Sequence, residues 1–301
     1  MQQAHARPAS SVAALPAVSP RSERRRPSWV RGLLRQRLAL TGLVLVLCFV
    51  AVALLGGRIA PYSFSEQHVR DRLQPPSATY LLGTDEFGRD ILSRLLVGAG
   101  ISFQVGVISV GLSGIAGVLL GLLAGYRGGW LDAVLSLLMD VVFAFPAILL
   151  AIAIIAMLGS SLLNVMLAIG IVNTPTFMRL VRGSTLALRR TPFVEAAVSL
   201  GAPTPRVLAR HIFPNLTASL IVLASLNFAF AVLAEASLAY IGLGNKPPSP
   251  SWGSMVSSSY GSLEVAPWAA LFPGLAIALT VLGFNLLGDG LRDALDPVRR
   301  S

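Results

Sequence analysis

The sequence predicts an all-α membrane protein with six transmembrane helices. Of its 301 residues, 54% are hydrophobic and only 13% are charged, whereas charged residues make up about 25% of an ordinary soluble domain. Five stretches carry no Asp, Glu, Lys, Arg or His, namely 38–57, 95–126, 141–178, 216–234 and 265–288. Because a helix needs about 20 apolar residues to cross the hydrocarbon, the stretch 141–178 supplies two crossings and the total is six.

The six helices divide the chain into a tail, an anchor and a core. Residues 1–37 are rich in Ala, Pro, Ser and Arg, a composition that favours a disordered cytoplasmic tail lying on anionic lipid. The first helix is assigned to 38–60, an extracytoplasmic segment to 61–94 and a five-helix core to 95–290. Within the core, a cytoplasmic loop is assigned to 181–215. A cytoplasmic C-terminal tail then occupies 291–301.

Within the core, the apolar pattern is least regular in the third and fourth predicted helices. The third helix is expected to begin near Ala133 and to end at the break 159–161, and the fourth to cover about 162–180. Pro175 in the fourth helix predicts an irregular end there. In the second helix, four glycines share one face where another helix backbone can approach closely: Gly114, Gly117, Gly121 and Gly125.

Arginine sets the predicted orientation. Residues 1–37 hold eight Arg and one acid, and if this tail is cytoplasmic, six crossings place both termini inside. The predicted inside regions then carry 18 Lys and Arg residues, against six outside. This agrees with the positive-inside rule. The net charge of +10 therefore reflects topology, and no nucleic-acid partner is expected.

The residues of the chain argue against nucleotide binding by a P-loop and against metal binding. A P-loop needs the lysine of Gly-x-x-x-x-Gly-Lys-Ser/Thr, but the single lysine, Lys246, precedes two prolines. The three histidines are scattered and there is one cysteine, so no metal site is expected. We therefore predict a chain without catalytic residues that binds neither ATP nor another cofactor.

Two acidic residues lie at membrane depth, where a charge is costly and usually faces a cavity or a helix partner. Asp140 is a candidate for the translocation path, although the favoured interpretation is that it pairs with an arginine near the cytoplasmic end. Glu235, near the outer end of the fifth helix, either lines the path or forms a hydrogen bond across helices. These two interpretations of Glu235 stay open.

A polar segment, 195–215, interrupts the apolar pattern between the fourth and fifth helices. Thr191 is expected to be the N-cap of a short helix, with Pro192 in the first position and Glu195 in the first turn. Gly201 is expected to end this helix in the left-handed conformation.

A second, basic helix is predicted over 206–212. Pro203 and Pro205 exclude one continuous helix through this region, and Pro214 is expected to begin the return into the membrane. The pattern alone is also consistent with an ordinary amphipathic loop.

This segment resembles the EAA loop of binding-protein-dependent ATP-binding cassette permeases. That motif reads Glu-Ala-Ala, three residues, Gly, nine residues, an aliphatic residue, one more, Leu and then Pro. The matching positions here are Glu195, Ala196, Ala197, Gly201 and Pro214. Phe213 replaces the usual Leu and His211 the aliphatic residue, but His-Ile-Phe-Pro-Asn is similar to an ending common in dipeptide and oligopeptide permeases.

Other stretches resemble the C-type subunit of the same family, over about 30–298. They are the segment 82–94 before the second helix, the outer segment 235–253, and the last helix and tail, 267–297. Departures from the family pattern include Gly100, where Arg is usual. The resemblance implies the six-helix fold of type I importers in a bacterial inner membrane.

The resemblance also implies partners. The chain would form a heterodimeric pore with a B-type permease, and would work with two ATPase subunits, which bind ATP and Mg, and an extracytoplasmic solute-binding protein. The loop would dock on an ATPase through its matching residues together with Arg206, Arg210 and His211. The outer residues Asp85, Arg89, Asp90 and Trp252 would meet the binding protein.

The implied cargo is a dipeptide or oligopeptide, selected largely by the binding protein. Importers with similar permeases carry glutathione or nickel chelates, so these remain alternatives. A different class, an ion-coupled secondary transporter, would use Asp140 and Glu235 for coupling.

Overall fold

The structure, a computed structural model, describes residues 36–245 and 247–295. Its helices are α1 (Arg37–Ile59), α2 (Ile91–Arg127), α3 (Gly129–Ala144), α4 (Ala147–Leu158), α5 (Leu162–Leu188), α6 (Pro192–Ser199), α7 (Thr204–Val207), α8 (Phe213–Tyr240), α9 (Trp252–Ser259) and α10 (Trp268–Leu295). A π-helical turn, Leu208–Ile212, joins α7 to α8. Nearly all of the predicted tail 1–37, Lys246 and the tail beyond 295 lie outside the described residues.

Five helices are long and apolar enough to cross a membrane, and α3 with α4 makes a sixth span if the pair is counted as one. The pair is bent by 95°. The bend lies at Phe145 and Pro146, because proline cannot donate to the preceding turn and keeps the residue before it extended. The third predicted helix is therefore present but broken.

The fourth predicted helix, α5, ends later in the structure than the sequence predicted. We expected an irregular end near Pro175 and a loop from 181, but α5 continues through Pro175 to Leu188. Neighbouring helices can hold a proline-containing turn in place. Here, a Cβ added at Gly117 of α2 would lie 2.9 Å from the Thr174 carbonyl oxygen, so the two backbones are in close contact around this turn.

The glycine face of α2 is confirmed as a packing surface. A Cβ added at Gly121 would lie 2.7 Å from the Met178 carbonyl oxygen, and one at Gly125 would lie 2.8 Å from that of Arg182. Among the described residues, a Cβ added at Gly114 would meet only the Phe177 ring, at a van der Waals distance of 3.8 Å. Small residues thus let α2 and α5 pack along much of their length.

An aromatic cluster joins α1 to the other half of the bundle. The Phe49 ring contacts those of Phe103, Phe228, Trp252 and Phe284 with centroids 5.7–6.1 Å apart. Phe228 and Phe284 stack at 4.0 Å. Since these residues belong to α1, α2, α8, α9 and α10, the cluster fixes the anchor helix to the core.

The connections define two ends of the bundle. We call the end that holds 188–213 the loop end, and the end that holds 60–90 and 241–267 the opposite end. α10 continues to Leu295, so residues 291–295, assigned to the C-terminal tail, are helical.

Candidate functional site

The segment at the loop end forms the predicted short helix. Thr191 occupies the N-cap position and Pro192 the first helical position of α6, and Glu195 lies in the first turn. The Thr191 hydroxyl does not cap the helix but donates 2.6 Å back to the Leu188 carbonyl. α6 is therefore connected to the end of α5 by a tight turn.

Gly201 ends α6 as predicted. Its φ is +80°, a conformation that disfavours every residue with a Cβ. The Gly201 N–H donates to the Val198 carbonyl at 2.9 Å and the Ala202 N–H to the Ala197 carbonyl at 3.1 Å, which is the Schellman pattern. The chain then reverses into α7.

The predicted second basic helix is present in a different form. Residues 204–212 form α7 and a π-helical turn, and the segment Thr204–Tyr240 runs on as one span. Pro214 lies in the first turn of α8, directly after the π-helical turn. Any movement of this segment is therefore passed directly to α8.

Buried aliphatic side chains anchor the segment to the bundle. Val194 of α6, Val207 of α7 and Ile212 pack with Val181 of α5 and Leu216 of α8. Val194, Val207, Ile212 and Val181 are at most 1% exposed. The segment is therefore a folded part of the structure, which distinguishes it from an ordinary surface loop.

The other side of α6 is exposed and mixed in character. We call the set Phe193, Glu195, Ala196, Val198 and Leu200 the loop face. Phe193 is 46% exposed, Val198 49% and Leu200 89%. Glu195 and Ala196 are also exposed. Exposed apolar side chains next to a charge, at the end of a membrane bundle, are typical of a protein-interaction surface.

The structure also places the other predicted loop residues. Gly201, Arg206, Arg210 and Pro214 are exposed, while Ala197 and His211 are half-buried. Sequence reasoning missed the three apolar members of the loop face, Phe193, Val198 and Leu200. Their signal was present as large hydrophobic residues within a polar segment.

The arginine partner expected for Asp140 is confirmed. Arg179 of α5 donates to the Asp140 carboxylate at 2.6 Å, and its guanidinium lies 4.0 Å above the Phe143 ring. A second pair, which the sequence reasoning missed, joins Arg182 of α5 to both carboxylate oxygens of Asp132. The two pairs hold α3 against α5.

Glu235 lies in the interior of the bundle. Its side chain is 0% exposed, and neither carboxylate oxygen makes a hydrogen bond to a described residue. The Ser251 hydroxyl at the start of α9 is the polar group that approaches it. Hydrogen bonding across helices and a place in the translocation path therefore both stay predictions for Glu235.

The predicted outer residues form a compact turn at the opposite end. Asp85 accepts from the Arg89 side chain at 2.7 Å, and Asp90 caps α2 by accepting from the Ser93 N–H at 2.8 Å. Trp252 donates to the Leu95 carbonyl at 3.0 Å. Asp85, Arg89, Asp90 and Trp252 are all buried, so contact with a binding protein stays a prediction and their visible role is to hold this segment together.

Tyr80 adds a further polar contact there. Its hydroxyl donates to the Asp71 carboxylate at 3.0 Å. Burial and this carboxylate raise the pKa of Tyr80 to about 12. The phenol therefore stays a hydrogen-bond donor throughout the physiological pH range.

The fold defines a multi-pass, helical membrane protein with a folded, partly apolar and exposed surface at its loop end. Comparison with known families agrees: residues 117–301 match the binding-protein-dependent transport system inner membrane component, and residues 28–76 match the N-terminal transmembrane domain of oligopeptide transport permease C. The chain belongs to this family of transporter permeases, as the sequence motifs indicated.

Individual relatives cover most of the chain. It is 47% identical to a dipeptide transport system permease protein DppC of Alkalihalophilus pseudofirmus, over 89% of this chain and 88% of the relative. It is 44% identical to a glutathione transport system permease protein GsiD of Pectobacterium atrosepticum, over 99% of both. A GsiD protein of Escherichia coli is 45% identical over 87% of both.

Proposed function

We propose that this chain is the C-type permease of an ATP-driven importer of short peptides, and that the loop face docks on an ATPase subunit. The observation that carries the docking proposal is the contrast within one short helix. Val194 is buried as an anchor, whereas Leu200, the C-cap residue that directly follows α6, is 89% exposed. A hydrophobic side chain held in this way by a folded support is best explained by a protein partner.

The connections of the loop explain how it would transmit movement. α5 ends at Leu188 and α6 begins at Pro192, while α7 continues through Ile212 into α8. Closure of an ATPase dimer around ATP and Mg would therefore displace both membrane helices together. In this proposal the loop end faces the cytoplasm, as do both termini. ATP and Mg are bound by the ATPase subunits, and the chain itself binds no cofactor.

The remaining partners follow from the same proposal. A B-type permease completes the pore as the other half of a heterodimer, and a solute-binding protein delivers the peptide at the opposite end. Short peptides as cargo are supported by the dipeptide permease relative.

Glutathione is a second candidate cargo, because a glutathione permease is similar to this chain over 99% of its length. Glutathione is itself a peptide with a free thiol, so both candidates need the same general path. Competition between a dipeptide and glutathione for import by the complete transporter would separate them.

The decisive experiment uses the complete complex in proteoliposomes with its binding protein. Glu195→Lys and Gly201→Asp are expected to abolish ATP-dependent peptide import and to weaken copurification of the ATPase subunits, with normal membrane insertion. Glu264→Lys is the matched control, because Glu264 is an exposed acid at the opposite end. Normal import in both loop variants would overturn the docking proposal, and import driven by a proton gradient without ATP would indicate a secondary transporter.

A further inference from the structure

The bend between α3 and α4 leaves a cavity of about 350 Å³ against α5 and α8. This volume lies within the range of small-ligand pockets. Apolar side chains, including Phe143, Phe145 and Phe230, form part of its wall. Asn173 of α5 and Asn227 of α8 also line it, and uncharged polar groups at this depth of a membrane bundle call for an explanation.

The two asparagines offer complementary hydrogen-bonding groups. Asn173 is 6% exposed, and its side-chain nitrogen is a buried donor without a partner among the described residues. The Asn227 side-chain nitrogen donates to the Leu223 carbonyl at 2.9 Å, and its oxygen accepts no bond recorded within the described residues. The cavity wall thus carries an unpartnered amide donor and an amide acceptor, and Thr176 adds a hydroxyl group to the same wall.

We propose that this cavity binds the backbone peptide group of the cargo during translocation, with Asn173 donating to its carbonyl and Asn227 accepting from its N–H. This inference rests on the proposed import function and assigns part of its path. A peptide group has one donor and one acceptor, and a buried polar group left without a partner is costly. Because recognition of this kind ignores side chains, it suits a transporter of varied peptides.

The surroundings connect this site to the loop. Arg179, which pairs with Asp140, stacks on Phe143 in the cavity wall. Asn173 lies on α5 and Asn227 on α8, the two helices joined to the loop at the loop end. Movement of the loop would therefore change the spacing of the two asparagines and release the peptide group.

The first test compares two substrates in the reconstituted complex. One is a dipeptide, and the other is its ester analogue, which lacks the peptide N–H and has a weaker acceptor; the affinity of each for the binding protein is measured separately. Asn227→Leu and Asn173→Leu are expected to lower the maximal import rate of the dipeptide by about three- to tenfold, the worth of one hydrogen bond. Import of the ester is expected to be nearly unchanged in Asn227→Leu, and Asn173→Gln should restore part of the dipeptide rate.

Equal losses for both substrates in Asn227→Leu, or no loss for either, would overturn the inference. Loop variants distinguish its failure from failure of the proposed function. If Glu195→Lys still abolishes import but the asparagine variants affect the dipeptide and its ester equally, the proposed peptide site is wrong and the proposed import function stands.

A second test does not depend on the asparagine variants. In a Cys48→Ser background, Thr176→Cys places a thiol in the cavity wall, and Ile171→Cys places one on the 46% exposed outer surface of the same helix. A water-soluble, charged thiol reagent should label position 176 and not 171, and peptide with binding protein should slow that labelling during turnover. Labelling of position 176 that peptide leaves unchanged, or no labelling there, would contradict a peptide site.

Discussion

Arg179 of α5 donates to Asp140 of α3 across 2.6 Å, one turn of α5 before Arg182 pairs with Asp132. The two pairs differ in environment. The side chains of Arg179 and Asp140 are 52% and 59% exposed, whereas those of Arg182 and Asp132 are 35% and 16% exposed. The first half of the broken span is therefore held to α5 by one open pair and one sheltered pair.

We predict unequal effects when these pairs are broken. Asp140→Asn should lower the free energy of unfolding by the smaller amount, because the Arg179–Asp140 pair is the more exposed of the two. Asp132→Asn should cost more, because it breaks a less exposed pair in which both carboxylate oxygens are engaged. Denaturant unfolding of the purified chain in detergent measures both, and the exchange Asp132→Arg with Arg182→Asp should recover part of the loss. An equal cost for the two single variants would contradict this ranking.

The close contact of α2 and α5 predicts a strong effect of one added methyl group. Gly121→Ala should destabilise the protein by about 1–3 kcal/mol, the usual cost of overpacking, because the new Cβ meets backbone at 2.7 Å. Gly111→Ala is the control on the same helix, since no described atom lies within 4 Å of its added Cβ. It should be neutral or stabilising by up to about 1 kcal/mol, as measured by thermal unfolding.

The turn after α6 predicts a conformational effect without a steric one. Gly201→Ala should destabilise the turn by about 1–2 kcal/mol, although no described atom lies within 4 Å of an added Cβ. Gly201→Asn should be milder, because Asn visits the left-handed region more readily. Gly183→Ala, in the open middle of α5, should have no such cost.

Copurification of the ATPase subunits is the measurement for this turn. Retention should follow the order wild type, Gly201→Asn, Gly201→Ala. If Gly201→Ala binds the ATPase as well as the wild type does, the left-handed turn does not matter for docking.

The unpartnered carboxyl group of Glu235 predicts tolerance of a neutral replacement. Glu235→Gln should change the free energy of unfolding by less than about 1 kcal/mol, since no hydrogen bond to a described residue is lost. Glu235→Lys should cost about 3–5 kcal/mol, because it places a charge without a partner in the interior. Thermal unfolding in detergent checks both, and a large loss in Glu235→Gln would show that the carboxylate has a partner in the assembled protein.

Much of the fold follows from local sequence. The apolar stretches located every membrane helix, although several helix ends lie up to about two turns away from the ends of the stretches, because length and hydrophobicity decide whether a segment can cross a membrane. Gly201 and Pro192 marked the ends of α6 correctly, since backbone preferences act within one or two residues. The predicted helix end near Pro175 was wrong, because the local effect of this proline was outweighed by the packing of α2 against α5.

The candidate site was only partly predictable. The loop motif indicated the segment proposed to dock, but exposure of Leu200 and burial of Val194 depend on how α6 lies on α5 and α8. The pairing of Arg182 with Asp132 joins residues 50 positions apart. The side chains of Asn173 and Asn227 line one cavity although they lie 54 positions apart on two different helices.

The sequence by itself determined the membrane class, the number of spans and the turn at Gly201, because composition and backbone preference are local properties, and its motifs indicated the permease family by resemblance. Only the tertiary structure decided which acid pairs with which arginine, that Glu235 has no partner among the described residues, and that two asparagines face one cavity. These depend on distances between helices, which no local pattern specifies.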